Sequence, residues 1–285
     1  MITAQLLSDF NSAKANFDDV YVAKTPVPYM SRMSSVEYEI PQNARHVFEQ
    51  LIHRLTQLRG RSLRILDVGS SYGINASLLR YELDLRDLYL HYSACSQWKE
   101  DQRLLLAADQ KYFGELPRRL DCAFIGVDSS ANAIFYATRC GLLENGLVMD
   151  LEDDEAASSQ LDGLDVDLII STGVIGYIGP VALGRVLDLC RDPRKVWIAS
   201  FVLRLIDFDP YATVLASRGL ATECGSALFV QRRIANHVEQ AKTEAYARSR
   251  GLYIDGIEST GRLFARFYLS RRRDTEDATL AQLLN

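Results

Sequence analysis

The fold is decided by residues 65–73, which read ILDVGSSYG. The first four of these residues are apolar apart from Asp67, which is typical of a buried parallel strand. Gly69 and Gly73 then bracket a short turn, and a helix-like stretch follows over residues 74–85. A turn between a parallel strand and a helix is where α/β sheets bind ligands. Glycine suits it because glycine tolerates positive φ and lets the main chain approach a ligand.

A dinucleotide-binding loop, G-x-G-x-x-G, is the main alternative for this turn. Counting from Gly69, Ser71 stands where the second glycine would be and Ile74 where the third would be. Asp67 would also repel a pyrophosphate, whereas a carboxylate beside a glycine turn suits a cationic or zwitterionic ligand. The turn therefore favours the amino-acid end of a sulfonium cofactor, and a nicotinamide oxidoreductase is the more distant alternative.

Three further apolar segments lead into polar residues, at Asp128, at Asp150 and at Thr172. A carboxylate at the end of the second strand can accept hydrogen bonds from both hydroxyls of a ribose. A carboxylate at the end of the third strand can accept the exocyclic amine of an adenine. The ordered strand ends therefore predict one nucleotide-type site along one edge of a parallel sheet.

This series resembles the first four motifs of the class I S-adenosylmethionine-dependent methyltransferases, over about residues 45–200. The resemblance implies an α/β, Rossmann-like fold, with a seven-stranded, mostly parallel sheet of order 3-2-1-4-5-7-6 and helices on both faces. It also implies S-adenosyl-L-methionine as the cofactor. The implied cofactor-binding residues are Asp67, Gly69 and Gly73 at the methionine moiety, Asp128 at the ribose, Asp150 with Leu151 at the adenine and Thr172 below the sulfonium, with Ser70 and Ser129 beside them.

A helical insertion separates the first helix from the second strand. Asp67 and Asp128 lie about 60 residues apart, about twice what a plain strand–helix–strand unit needs. Residues 81–121 account for the excess, and apolar positions at helical spacing predict two helices in them, over 85–92 and 98–116. We interpret the insertion either as a surface helix pair at the sheet edge or as an element for dimerisation or substrate shaping.

The N-terminal residues predict a cap over the site. The chain divides into a helical cap segment (1–58), a core (59–273) and a C-terminal tail (274–285). The cap contains an amphipathic helix over residues 3–17 and an irregular Pro- and Tyr-rich segment over residues 21–41. In small-molecule members of the resembled family, such N-terminal elements close over the active site. Tyr21, Tyr29 and Tyr38 are therefore candidate substrate-binding residues.

Composition restricts the partners. A net charge of −5 and a pI near 5.5 argue against non-specific binding to nucleic acid. Five cysteines without a C-x-x-C pair favour reduced thiols in a cytoplasmic protein and no metal site. The first residues do not resemble a secretory signal, and glycines interrupt the apolar residues 168–184, so no membrane partner is expected. Apolar faces of the insertion allow a homodimer.

The sequence predicts a methyltransferase that acts on a small polar metabolite, either acidic or amino-acid-like, by in-line transfer driven by positioning. The alternatives are non-methyl use of the cofactor, such as aminocarboxypropyl transfer, and a non-catalytic cofactor-binding partner subunit. Tyr177 is the candidate catalytic residue, ahead of the four histidines at positions 46, 53, 91 and 237. Arg204 is the candidate clamp for a substrate carboxylate, with Arg232 and Arg233 as alternatives.

Overall fold

The computed structural model of the protein describes residues 23–153, 163–273 and 278–284. The strands are β1 (Arg64–Val68), β2 (Ala123–Asp128), β3 (Asn145–Val148), β4 (Leu168–Thr172), β5 (Trp197–Leu203), β6 (Ala221–Arg233) and β7 (Arg262–Arg271). They form one seven-stranded sheet of order β3-β2-β1-β4-β5-β7-β6. Strands β1 to β5 are parallel, and β7 is antiparallel to both β5 and β6. The predicted fold class is confirmed.

Helices cover both faces of the sheet. They are α1 (Pro26–Ser35), α2 (Ile40–Arg59), α3 (Ile74–Arg80), α4 (Leu85–Ala94), α5 (Gln102–Glu115), α6 (Ala131–Arg139), α7 (Pro180–Asp188), α8 (Asp209–Ala216), α9 (His237–Ser249) and α10 (Leu280–Leu283). Successive strand residues alternate between the faces, so Ile65 packs in the cluster that contains α2, while Leu66 packs in the cluster that contains α7. In the part of the chain that the structure describes, no helix is long and apolar enough to cross a membrane.

The register of the central strands places their ends side by side. Val68 at the end of β1 pairs with Val127 of β2 and with Ser171 of β4. All three strands are parallel, so the turns that follow them open at the same edge of the sheet. Side chains from three separate parts of the sequence are thereby brought to one place.

The Pro- and Tyr-rich segment is helical where an irregular segment was expected. α1 begins at Pro26, with Thr25 as its extended N-cap residue. Pro26 and Pro28 both lie in the first turn, where main-chain N–H groups have no partner within the helix. The prolines therefore initiate this helix and do not break it, and the prediction of an irregular segment was wrong on that point. The helix predicted over residues 3–17 lies outside the described residues.

The insertion forms the two helices that its periodicity predicted, α4 and α5. α4 begins with a capping box, in which Asp84 and Asp87 each accept a hydrogen bond from the main-chain N–H of the other. Its buried face packs against α1 in a shared apolar cluster that includes Met30 and Leu88. The insertion and α1 are therefore neighbours and together form a wall beside the core.

A buried carboxylate joins the insertion to the core. Asp109 on α5 is fully buried. It accepts hydrogen bonds from the hydroxyls of Tyr92 on α4 and Tyr136 on α6, each at 2.8 Å, and its Oδ1 lies 2.7 Å from His91 Nε2. The ring of His91 also stacks on Tyr112, with ring centroids 4.0 Å apart. These contacts give His91 a structural environment away from the strand ends.

Candidate functional site

A cavity of about 320 Å³ opens at the edge where β1, β2 and β4 end. Its walls come from the turns after these strands and from α1 with the residues that follow it. The lining residues are Tyr29, Tyr38, Pro41, Gly69, Ser70, Ser71, Ile74, Asn75, Asp128, Ser129, Thr172, Gly173, Val174 and Tyr177. The volume lies within the range of small-molecule sites, and the location is the one predicted from the strand ends.

The first turn needs its glycines. Gly69 and Gly73 have φ angles of 70° and 79°, and Ser71 between them has a φ of 47°. A methyl group built on Gly69 would come 2.7 Å from Cγ2 of Val174, which is closer than such atoms normally approach. The loop after β4 therefore packs directly against the loop after β1, and only glycine fits at position 69.

Asp128 is held by the main chain at the end of β2. Its Oδ2 accepts a hydrogen bond from the N–H of Ser71 at 2.9 Å, and its Oδ1 accepts one from the N–H of Ser130 at 2.8 Å. Burial raises the pKa of this carboxyl, while the two N–H donors oppose that shift. Each oxygen keeps acceptor capacity beyond these bonds. Asp128 can therefore accept hydrogen bonds from two neighbouring hydroxyls of a ligand.

Asp67 lies behind the cavity wall and reaches it through Asn75. The Asn75 Nδ2 donates to Asp67 Oδ1 at 3.0 Å and lies 3.1 Å from the Thr172 hydroxyl. Asp67 is fully buried, and in the described structure its Oδ2 has no hydrogen-bond partner. Desolvation by this burial raises the pKa of Asp67 to about 7, against the opposing hydrogen bond from Asn75. Asn75 thus joins the floor of the cavity to a carboxyl that titrates near neutral pH.

Tyrosines form the wall opposite the glycine turn. Tyr29 on α1 is buried and packs on Tyr72, with ring centroids 5.7 Å apart. Tyr38 follows α1, and desolvation raises the pKa of its hydroxyl well above the usual value. Tyr177, in the loop after β4, is 59% exposed at the mouth. Two of the three tyrosines predicted to bind substrate therefore line the cavity, and the third, Tyr21, lies outside the described residues.

Not every residue predicted for the cofactor lies on the cavity surface. Gly69, Ser70, Asp128, Ser129 and Thr172 do. Four others, Asp67, Gly73, Asp150 and Leu151, lie outside this lining. Gly73 belongs to the turn behind the lining, where a side chain would meet Ala137 and Leu142.

Asp150 and Leu151, expected at an adenine, also lie outside this lining. Asp150 is exposed and its Oδ1 accepts a hydrogen bond from the N–H of Glu152. Leu151 is buried in the apolar cluster beneath α7. Met149 donates its N–H to the Asp128 carbonyl at 3.0 Å, so Asp150 and Leu151 come directly after a residue that is bonded to the end of β2. Their predicted role at an adenine stays a prediction.

The contacts of Arg204 do not fit its predicted role as a clamp for a substrate carboxylate. The residue is 8% exposed, and its guanidinium donates two hydrogen bonds to Glu258, at 2.6 and 2.7 Å, and one to the Tyr253 carbonyl. Glu258 is itself fully buried. The donors that would clamp a substrate carboxylate are thus engaged within the protein, away from the cavity lining. The two alternatives are also in ion pairs, Arg232 with Glu239 and Arg233 with Glu37.

Sequence reasoning missed Asn75, Ser71 and Val174. Asn75 lies two residues after Gly73, within the following helix. A buried position in a helix gives no sign of function in the sequence. Ser71 contributes its main-chain N–H, which any residue carries, and Val174 contributes shape. The signal that could have found Asn75 is an amide side chain in the first turn of the helix that follows the glycine turn.

Comparison with known proteins gives structural likeness at low sequence identity. No protein-family model and no curated protein matches the chain. Among solved structures, a TehB-like SAM-dependent methyltransferase from Corynebacterium glutamicum is 16% identical with a TM-score of 0.39, over 79% of this chain and 87% of that one. Magnesium protoporphyrin IX methyltransferase from Synechocystis, with bound SAM, is 11% identical with a TM-score of 0.41, over 94% and 96%. The plantazolicin methyltransferase BpumL, in complex with SAH, is 13% identical with a TM-score of 0.46, over 95% and 98%.

These values are too low to carry an argument about activity. The fold assignment rests on the sheet itself, whose strand order is the one implied by the sequence resemblance and in which β7 runs antiparallel to both of its neighbours. The site at the ends of β1, β2 and β4 lies where that fold binds its ligand. The chain therefore has the Rossmann-like fold of the class I S-adenosylmethionine-dependent methyltransferases.

Proposed function

We propose that the protein is an S-adenosylmethionine-dependent methyltransferase whose cofactor lies in the cavity at the edge of the sheet. The observation that carries this proposal is the placement of Asp128 beside the positive-φ turn at Gly69. A carboxylate oriented by two main-chain N–H groups is suited to a ribose diol. The tight glycine turn lets the ligand approach the main chain. When bound, the cofactor supplies an electrophilic methyl group on a sulfonium.

The residues present fit such a cofactor at both of its polar ends. Asp128 and Ser129 would hold the ribose hydroxyls. Asn75 and Thr172 form the floor, and the buried Asp67 behind them would supply negative charge for a cationic amino group when it is ionised. The buried Oγ of Ser70, which belongs to the cavity lining and has no partner in the described structure, is a polar atom that a ligand would satisfy.

Positioning is the main contribution of the protein to the reaction. Methyl transfer is an in-line displacement, and alignment of two bound reactants supplies several kcal/mol of rate enhancement, about 7 or more in favourable cases. Tyr29, Tyr38 and Pro41 would form the wall against which the methyl acceptor packs. Because burial raises the pKa of Tyr38, it stays a neutral phenol that can donate a hydrogen bond. Tyr177 is then the residue that would take a proton from an acceptor that carries one.

The acceptor that the cavity suits is small, polar and uncharged. Among the described residues of the lining there is no arginine, lysine or histidine, and Asp128 contributes negative charge. An acidic acceptor would therefore meet no cation there. Because Arg204 is engaged elsewhere, the prediction that the acceptor is an acidic metabolite loses its support. The homodimer and the cytoplasmic location stay predictions.

Calorimetric titration with S-adenosylmethionine tests the cofactor assignment. We expect micromolar binding that Asp128→Ala weakens at least about tenfold, a change of about 1.4 kcal/mol, while NADH gives no heat of binding. Incubation with acceptors then separates the reactions, because methyl transfer yields S-adenosylhomocysteine whereas aminocarboxypropyl transfer yields methylthioadenosine. Absence of binding, or binding indifferent to Asp128, would remove the proposal.

A further inference from the structure

Gln231 occupies an irregular position at the end of β6. Val230 pairs with Phe264 of β7 and Arg232 pairs with Leu263, so Gln231 lies at a shift of register and has no partner of its own on β7. Its carbonyl instead accepts a hydrogen bond from the N–H of Glu39 at 2.8 Å. Such bulges redirect a side chain and occur beside active sites. The bulge fixes Gln231 against the segment that carries Tyr38.

The Gln231 side chain lies next to the cavity lining at Gly173, although Gln231 itself is not part of that lining. Its Nε2 lies 3.7 Å from the point that a Cβ on Gly173 would occupy, and the Tyr38 hydroxyl lies 2.5 Å from the same point. Gly173 and Tyr38 both line the cavity. The Tyr38 hydroxyl, the main chain of Gly173 and the Gln231 carboxamide therefore lie close together at one end of the site.

The carboxamide of Gln231 is incompletely bonded. The residue is 9% exposed, and in the described structure its Oε1 is buried without a hydrogen-bond partner. A buried acceptor without a donor costs free energy, and in native proteins such groups call for an explanation, often a functional one. Rotation about the last side-chain torsion is broad and exchanges the oxygen and nitrogen positions at low cost. This exchange would place the oxygen beside Gly173 in the cavity lining, within reach of a donor bound there.

We propose that Gln231 is a specificity-determining residue for the methyl acceptor, and that the acceptor presents a neutral O–H or N–H group to its Oε1 beside Tyr38 and Gly173. This inference rests on the proposed function, since it assigns the acceptor end of the same cavity. We expect a neutral hydrogen-bond donor on the acceptor for two reasons. The unpaired atom is an acceptor, and the described lining offers no cation to an anion. Carboxylates and ethers, which carry no donor, are disfavoured.

The test compares two probes that differ in one donor. Phenol carries an O–H where anisole carries a methyl ether, and benzoate carries an anion. Each is titrated by NMR into the full chain, with and without saturating S-adenosylhomocysteine. We expect phenol to bind with a dissociation constant of about 1 mM, at least about tenfold more tightly than anisole or benzoate, because a site built for a donor rejects the analogue that lacks it.

Variants of Gln231 then assign the preference to its oxygen. Gln231→Leu removes the acceptor and should bring the phenol-to-anisole ratio to about one, whereas Gln231→Glu keeps an acceptor oxygen and should retain the preference. The main-chain bond to Glu39 is unaffected by either change. Gln110→Leu, on the exposed face of α5, is the matched control. The S-adenosylhomocysteine affinity and the melting temperature of each variant show whether the fold is intact.

Each outcome decides the question. Failure of phenol to bind, equal binding of phenol and anisole in the wild type, or an unchanged ratio in Gln231→Leu overturns the role of Gln231. If the wild type binds phenol selectively but does not bind S-adenosylhomocysteine, the cofactor assignment fails while the donor site stands. If Gln231→Leu has a lowered melting temperature, the Gln231→Glu variant decides instead. Loss of the preference for phenol over anisole in Gln231→Glu would also overturn the inference.

Discussion

Cγ2 of Val174 lies 2.7 Å from the position that a methyl group on Gly69 would take. We expect Gly69→Ala to lower the free energy of unfolding by about 1–3 kcal/mol, because it adds this clash to a residue at positive φ. S-adenosylmethionine affinity should fall as well. Urea denaturation and calorimetry measure the two effects. Val174→Ala should recover part of the stability in the double variant.

Gly114 offers the matched control for that substitution. It lies within α5 with open space around it and no positive φ. Gly114→Ala should therefore leave stability unchanged or raise it by up to about 1 kcal/mol. An equal loss of stability at the two positions would show that the contact with Val174 is not the cause.

Asp128→Asn should weaken S-adenosylmethionine binding by at least about tenfold, since the amide cannot accept from both main-chain donors and from ligand hydroxyls together. Asp150→Ala provides the comparison. Asp150 lies outside the cavity lining, so we expect its effect on affinity to be smaller. A larger effect from Asp150 than from Asp128 would contradict the assignment of the ribose position.

The raised pKa of Asp67, about 7, predicts a pH-dependent stability. The folded protein binds a proton on this carboxyl that the unfolded chain has lost, so stability falls as pH rises between the ordinary value of 3.8 and about 7. Asp67→Asn mimics the protonated state and should be the more stable protein at pH 8, by at least about 1 kcal/mol. Chemical denaturation at several pH values measures the difference, which should vanish near pH 4.

Cofactor affinity should also depend on the ionisation of Asp67, but it should rise with pH where the stability falls. A cationic amino group near Asn75 favours the ionised form of Asp67, so S-adenosylmethionine affinity should rise as pH increases through about 7. Calorimetry in buffers of different ionisation enthalpy reports the proton released on binding. Proton release that persists in Asp67→Asn would assign the titration to another group.

Tyr177→Phe and Tyr38→Phe form a matched pair, because both hydroxyls lie at the cavity. With an acceptor that carries a proton, Tyr177→Phe should lower kcat by about 10²-fold or more and remove the ascending, acidic limb of the pH–rate profile, because a general base acts only when it is deprotonated. Tyr38→Phe should act chiefly on KM. Identical effects of the two changes on the pH profile would argue against Tyr177 as the proton acceptor.

Asp109→Asn should destabilise the protein by at least about 2 kcal/mol, because Asp109 is fully buried and accepts hydrogen bonds from Tyr92 and Tyr136 while facing His91. Asp121→Asn, at an exposed site, should stay within about 0.5 kcal/mol of the wild type. Thermal denaturation distinguishes them. A mild effect at Asp109 would mean that the insertion is held by apolar packing alone.

The sheet order was predictable because the turn at Gly69 and the carboxylate at Asp128 belong to the motifs that carry the family resemblance, and the resemblance implies that order. The helix at Pro26 was not recognised, since proline breaks a helix in its interior but is tolerated in the first turn. The distinction depends on where the helix begins, which periodicity does not fix.

Side chains whose role depends on a distant partner were beyond sequence reasoning. Arg204 follows a strand, as a substrate clamp would, but Glu258 neutralises it from 54 residues further along the chain. Gln231 has no motif around it, and its orientation follows from a bulge that appears only when β6 and β7 are paired. Tertiary structure decides both cases.

The packing of α1 on α4 has a consequence for protein engineering. Residues 23–39 and 81–121 are distant in sequence, yet they share an apolar cluster, and residues 23–39 contribute Tyr29 and Tyr38 to the cavity lining. A chimera that exchanges one segment alone would bring two unmatched surfaces together in that cluster. Transplanting an acceptor pocket between proteins of this fold would therefore require the two segments to be moved as one unit.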